Sequence, residues 1–140
     1  MSNTDILRQA YDAFASGDVP KVLASLHDKI EWTQPAGDIY AGTFTGTESV
    51  VHNIFAPLSS EWDSFLVEPD AFICEGDQVA ALGWLSGTYK ATGIAFRARF
   101  VHWWTVTDGR ATHFEAIQDT AKIAEAVSRQ AGQSSPVGVS

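Results

Sequence analysis

Between Thr4 and Ala15 the apolar residues Ile6, Leu7, Ala10, Tyr11 and Phe14 recur three and four apart, so they share one stripe of a helix with Asp5 in its first turn. Ser16-Gly17-Asp18 then breaks the pattern. The glycine suits a helix C-terminus and the aspartate suits the cap of a second helix, whose first turn tolerates Pro20 because its missing N–H has no partner there. That helix turns Val22, Leu23 and Leu26 inward. Ile30-Glu31-Trp32-Thr33 alternates as a short strand that Pro35 ends. Residues 36–46 are rich in glycine and turn formers. Thr45 followed three residues on by Glu48 has the form of a capping box for a third helix, which carries Val50, Val51, Ile54 and Phe55 and stops near Pro57.

Beyond Pro57 the period changes to two. Four alternating runs, 62–74, 78–90, 95–107 and 110–118, are separated by Glu75-Gly76-Asp77, Thr92-Gly93 and Asp108-Gly109. Connections this short force antiparallel neighbours. Asp119-Thr120 opens a last helix of Ala, Ile and Val that runs to Val127. Three helices followed by such a sheet predict an α+β fold, with the N-terminal helices packed on one face of a curved, mainly antiparallel sheet. The other face is left for solvent or for a second copy. The pattern divides the chain into a single domain over 1–130 and a tail, 131–140, whose Gly, Ser and Pro content predicts disorder.

Composition agrees with one domain: 140 residues at 45% hydrophobic and 11% aromatic bury one core and leave no room for two. The 17 acidic residues outweigh 9 basic ones, giving a formal charge of −8, and no Lys/Arg stripe is present to neutralise phosphates. Nucleic acid and anionic membrane are therefore not expected as partners. No apolar run approaches the roughly 20 residues of a spanning helix, and MSNTDILRQ lacks a basic-then-apolar leader, so a cytoplasmic location is expected. The lone Cys74 can form no intrachain disulfide and is expected to act as a small hydrophobe. The four histidines, His27, His52, His102 and His113, are scattered without metal-ligand spacing, and neither a phosphate-binding glycine loop nor a G-x-S-x-G elbow occurs. No metal and no cofactor is expected.

The candidate chemistry lies in the last hairpin. Phe96, Ala98, Phe100, His102, Trp104 and Val106 share one sheet face, the apolar one that points at the helices. A histidine there either lines a cavity as a proton donor or acceptor, or is a core residue with its nitrogens bonded internally. Desolvation should lower its pKa and favour the neutral imidazole. Asp119 either caps the last helix or binds a ligand, and the strand alternation makes Gln118 the alternative pocket residue. Trp32 and Trp104 are candidate walls for a ring-bearing ligand, while core packing is the expected role of Trp84. Trp103 points the other way with Val101 and Thr105, onto the face that Arg97 and Arg99 share. An exposed aromatic there predicts a homodimer through the outer sheet face.

The helix break Ala15-Ser16-Gly17-Asp18, the segment Trp32 to Pro35, the loop Gly42 to Gly46 and the hairpin WTVTDGRATHFEAIQDTAKIAEAV together resemble the nuclear transport factor 2-like superfamily, in its SnoaL-like and ketosteroid-isomerase-like branch. The resemblance covers Thr4 to Val127. It implies a cone-shaped α+β barrel whose open end holds a small apolar ligand, and dimers through the sheet's outer face. It also implies sites. The general base of ketosteroid isomerases falls at Gln34, before Pro35; the oxyanion-hole acid falls at His102; and the oxyanion-hole tyrosine falls near Ala10 or Tyr11. The working aspartate of SnoaL-like cyclases falls at Ala116. Both expected carboxylates are thus replaced. The resulting expectation is an apolar pocket with His102 as the catalytic group and Tyr11, Phe14, Trp32, Trp104, Gln118 and Asp119 as binding residues. Its function is that of an isomerase, cyclase or hydratase of a hydrophobic carbonyl compound, or of a non-catalytic binding module built on the same cone.

Overall fold

The structure is a computed structural model that describes residues 1–128, so the predicted tail 131–140 lies outside the described residues. Helix α1, Asn3–Ala15, starts with a capping box in which the Ser2 hydroxyl accepts from the Asp5 N–H and the Asp5 carboxylate accepts from the Ser2 N–H. It buries Leu7, Ala10, Tyr11 and Ala13. Gly17, at φ 76°, makes the turn to α2, Val19–Ala24, which Asp18 caps through the Lys21 N–H at 3.2 Å. Leu26, expected on that helix, instead opens strand β1, Leu26–Gln34. The helix ends because β1 leaves to pair in parallel with the last strand, where Leu26 stands beside Ala111.

A short strand unanticipated from the sequence, β2, Gly42–Thr45, pairs antiparallel with β1. The next helix begins at Gly46 with no side-chain cap, so the Thr45/Glu48 capping box does not form. Nor does Pro57 stop it. Helix α3, Thr47–Val50, passes through a π-turn, Val51–Phe55, into α4, Ala56–Glu61. In the π-turn the Ala56 N–H reaches back to the Val51 carbonyl, a wider ladder that gives the proline ring room just ahead of it.

Strands β3, Trp62–Glu75, β4, Gln78–Tyr89, β5, Ile94–Thr107, and β6, Arg110–Gln118, follow as an antiparallel meander. The six-stranded sheet runs β2-β1-β6-β5-β4-β3, with β1 and β6 its one parallel pair. Asp108 and Gly109, at φ 52° and 81°, make the tight β5–β6 turn that the Asp-Gly pair demands. Helix α5, Thr120–Ser128, packs against β5 and β4. Strict alternation of burial along β4 and β5 sends Val79, Ala81, Leu85, Phe96, Ala98, Phe100, His102, Trp104 and Val106 inward. The helices cover that concave face, as the patterning predicts.

Two expectations about single residues are corrected. Trp84 is not in the core: it lies half-buried on the outer face, where the Arg97 guanidinium stacks 3.6 Å above its ring, since alternation along β4 turns it away from Leu85. Cys74 packs against no core, being exposed at the end of the β3–β4 hairpin. On the outer face Leu66, Ile73, Trp103 and Ile117 are exposed, and the row Ala71, Leu82, Val101, Ile117 crosses four strands. Among the described residues no helix is long and apolar enough to cross a membrane.

Gly83 is required by close approach. A Cβ there would stand 2.6 Å from the Pro69 Cα and closer still to the Glu68 carbonyl oxygen, where β3 bulges between Pro69 and Ala71. Both obstacles are backbone, so Gly83→Ala is expected to cost about 2–3 kcal/mol in urea-induced unfolding, with the slope on denaturant unchanged.

Candidate functional site

The concave face of the sheet, α1, the π-turn and α5 enclose a cavity of about 90 Å³ that opens to solvent on one side. Of the seven site residues inferred from sequence, six line it: Tyr11, Phe14, Trp32, His102, Trp104 and Gln118. Asp119 does not. It is exposed, its carboxylate accepts from the Lys122 N–H at 3.4 Å, and its own N–H bonds the Arg99 carbonyl. Alternation along β6 explains this, because Phe114 and Ala116 point inward and the chain turns into α5 just after Gln118. Asp119 therefore sits in the helix-cap role and not in the pocket.

The floor of the cavity is a hydrogen-bonded chain of three aromatic side chains. The Trp104 indole N–H donates to the Tyr11 hydroxyl at 3.0 Å, and that hydroxyl lies 2.6 Å from His102 Nδ1. Burial drives both titrations away from charge: the Tyr11 phenol is pushed well above its usual value, and His102 is pushed down to about 3. His102 is thus neutral and carries one proton. Nδ1 is the one acceptor that the Tyr11 O–H has among the described residues; with the O–H donating there, the His102 proton sits on Nε2. Nε2 has no hydrogen-bond partner among the described residues, and no side-chain nitrogen or oxygen that is fully buried lacks one. The Nε2–H therefore faces the open cavity. The Phe100 ring stacks on the imidazole at 4.0 Å and Phe114 meets it edge-on at 4.8 Å, which hold its plane.

The second polar group was missed in the sequence. Asp38, only 8% exposed, lines the same cavity from the loop between β1 and β2. Its Oδ2 accepts from the Gln34 amide at 3.3 Å and from the Tyr40 backbone N–H at 3.0 Å, and its Oδ1 accepts from the Gln118 amide at 3.0 Å. Gln34 is itself oriented by the Trp32 indole N–H, which donates to its Oε1 at 2.9 Å. A carboxylate offers about four acceptor positions. Three are filled, and one on Oδ1 remains. The available sequence signal was local: an aspartate followed two residues later by a free N–H in a Pro-Ala-Gly-Asp turn is an Asx-turn pattern, but nothing in it says that the turn folds inward.

Tyr40 ties this loop down. Its hydroxyl donates to the Glu61 carboxylate and accepts from the Trp62 indole N–H at 3.0 Å. Desolvation, reinforced by the Glu61 bond, raises the Tyr40 phenol above its usual value, so it acts as a donor. Gly37, at φ 90°, lets the loop lie against α5, where a Cβ would meet the Thr120 hydroxyl at 3.3 Å. A carboxylate thus lines the cavity four residues beyond position 34, with Gln34 as one of its hydrogen-bond donors. Ala116 adds none: it lies buried beside His102 in the β5–β6 register. Among the described residues no group of three or more His, Cys, Asp or Glu is placed to hold a metal ion.

The walls are aromatic. Trp32 stacks on Phe114 at 3.8 Å and meets Phe55 and Trp104 edge-on at 5.6 and 5.8 Å. The arrangement offers a neutral donor at the floor, a carboxylate with one free acceptor position, and a largely apolar space lined by both.

Comparison with known proteins gives a consistent assignment. An NTF2-like protein from Burkholderia thailandensis is 37% identical, with a TM-score of 0.85 over 88% of this chain and 95% of that one. An NTF2-like protein of unknown function from Burkholderia pseudomallei is 32% identical, with a TM-score of 0.84 over 91% and 99%. TerC, co-crystallised with polyporic acid, is 29% identical, with a TM-score of 0.81 over 89% and 97%. No protein of curated function matches the chain. The family model of the SnoaL-like domain matches residues 7–114, and the chain belongs to that family.

Proposed function

We propose that the protein is a proton-transfer enzyme, an isomerase of a small apolar carbonyl compound. The observation that carries the reading is a neutral His102 Nε2–H and an Asp38 carboxylate with one free acceptor position, both lining one apolar cavity. In this reading the substrate carbonyl oxygen accepts from Nε2–H. Asp38 takes the proton from the carbon next to the carbonyl; the C–H electron pair becomes a C=C bond and the carbonyl π pair moves onto oxygen. The enolate oxygen gains charge against a donor that is already fixed in place, so its stabilisation costs no reorganisation. Asp38, now protonated, returns the proton to the far end of the conjugated system. A neutral imidazole suits this task because it is a weaker acid than imidazolium and does not give its proton away. Gln34, held by Trp32, keeps donating to Oδ2, and Gln118 can turn its amide oxygen toward Asp38 when the carboxyl is protonated. Co-crystallisation of TerC with polyporic acid supports a small-molecule ligand for this chain as well.

A cavity of about 90 Å³ sets the size of the substrate core near one small ring. The test is the conversion of 3-cyclopentenone to its conjugated isomer, followed by ultraviolet absorbance. The wild-type protein is expected to accelerate it over buffer, and Asp38→Asn to lower the rate about 100-fold or more, the usual worth of a positioned base. The three hydrogen bonds already made by Asp38 favour a second reading, a binding module in which the carboxylate only shapes the pocket. Binding of cyclopentanone with no isomerisation above buffer would select it.

A further inference from the structure

We propose that the cavity also accepts a small cyclic organic ammonium, with its ring against the aromatic walls and an N–H donated to Asp38 Oδ1. This goes beyond proton transfer and does not rest on it, since it requires Asp38 to face the cavity as a carboxylate and not to move a proton. Four observations converge. Asp38 is 8% exposed, yet the ion pairs among the described residues, Lys90 with Asp63, Arg99 with Asp70, Arg110 with Asp28 and His113 with Glu31, all leave it out. Among the described residues no lysine or arginine lines the cavity. The neighbours that satisfy Asp38 are two amides and one backbone N–H, all neutral. The walls include the indole and phenyl rings of Trp32, Phe55, Trp104 and Phe114, and such rings attract a cation placed over an uncovered face.

A buried carboxylate without a counter-charge is costly, and a cation brought by a ligand removes that cost. The free position on Oδ1 gives the cation a specific seat, and the rings around the cavity attract the same sign of charge. An anionic ligand of equal size meets the opposite situation. It finds no lysine or arginine among the described lining residues, it faces the Asp38 carboxylate, and the donor at the floor, His102 Nε2–H, is neutral. The site thus selects by charge as well as by shape, favouring ammonium over neutral and neutral over carboxylate. An ammonium seated on Asp38 also occupies the proposed base, so it should compete with a carbonyl substrate.

The experiment is calorimetric titration of the full chain at pH 7.5 with cyclopentylammonium, cyclopentanol and cyclopentanecarboxylate, three ligands with the same ring and different charge. Cyclopentylammonium is expected to bind at least tenfold more tightly than the alcohol, and the carboxylate more weakly than either. Asp38→Asn is expected to bring the ammonium to within threefold of the alcohol, with urea unfolding of the variant showing that it is folded. Equal affinities across the wild-type series, a carboxylate that binds tightest, or an Asp38→Asn variant that keeps the ammonium preference would each overturn the proposal. If Asp38→Asn does not fold, the wild-type series decides alone. Failure of the 3-cyclopentenone assay leaves this charge series intact, and the reverse holds too, so the two proposals fail separately.

Discussion

Tyr11→Phe is expected to destabilise the protein by about 2–4 kcal/mol, although the change removes a single oxygen atom. That oxygen serves two partners. It accepts from the Trp104 indole N–H and donates to His102 Nδ1, and all three side chains are buried. Without it, the Trp104 N–H and His102 Nδ1 lose the one partner each has among the described residues, at about 1–3 kcal/mol each. The ring itself stays, so its edge-on contacts with Phe72 and Trp104 persist and the loss isolates the hydroxyl. At about 4 °C per kcal/mol for a domain of this size, the melting temperature should fall by roughly 10 °C. A fall of under 2 °C would show that water or a shifted His102 replaces the bonds.

Acid is expected to be the second large perturbation. His102 has a pKa of about 3 in the native protein because burial disfavours the imidazolium, whereas in the unfolded chain it takes up its proton near 6.5. Above pH 6.5 both states are neutral and the shift has no effect on stability. Below it the unfolded state binds a proton that the native state does not, so stability falls by about 1.4 kcal/mol per pH unit until about pH 3. Between pH 7 and pH 5 the loss from this one residue is about 2 kcal/mol. His102→Gln removes the titration while leaving an amide oxygen for the Tyr11 hydroxyl, so the difference between wild type and variant in urea unfolding isolates it from carboxylates elsewhere. If the two proteins lose stability in parallel over that range, His102 is not desolvated in solution.

The elements legible in the sequence are those built on local contacts. Helix α1 has one apolar stripe and a capping box, and the β3 to β6 meander has period-two alternation with a turn signal at each reversal. His102, Tyr11, Phe14, Trp32, Trp104 and Gln118 could be placed in the pocket because strand and helix periods determine which way a side chain points once the covered face is known. What escaped depends on distant partners. Leu26 fits the helical stripe of Val22 and Leu23 equally well, and its place in β1 follows from the parallel pairing with Ala111. Helix α4 survives Pro57 because of a π-turn that no residue in the sequence announces. Asp38 sits in a turn-rich segment where an aspartate is ordinarily solvated, and it is drawn inward by Gln118, a residue at the other end of the chain.

The parallel pairing of β1 with β6 also governs the order in which the cavity can come into being. Strands β3 to β6 zip together through short turns, but Trp32 meets Phe114 only after a loop comprising most of the domain has closed. Because β6 is the last strand to be synthesised, the cavity cannot close while the chain is still emerging. A ligand held in the cavity that both rings line should therefore protect the native state only as a whole, and its binding free energy should appear undiminished in global unfolding.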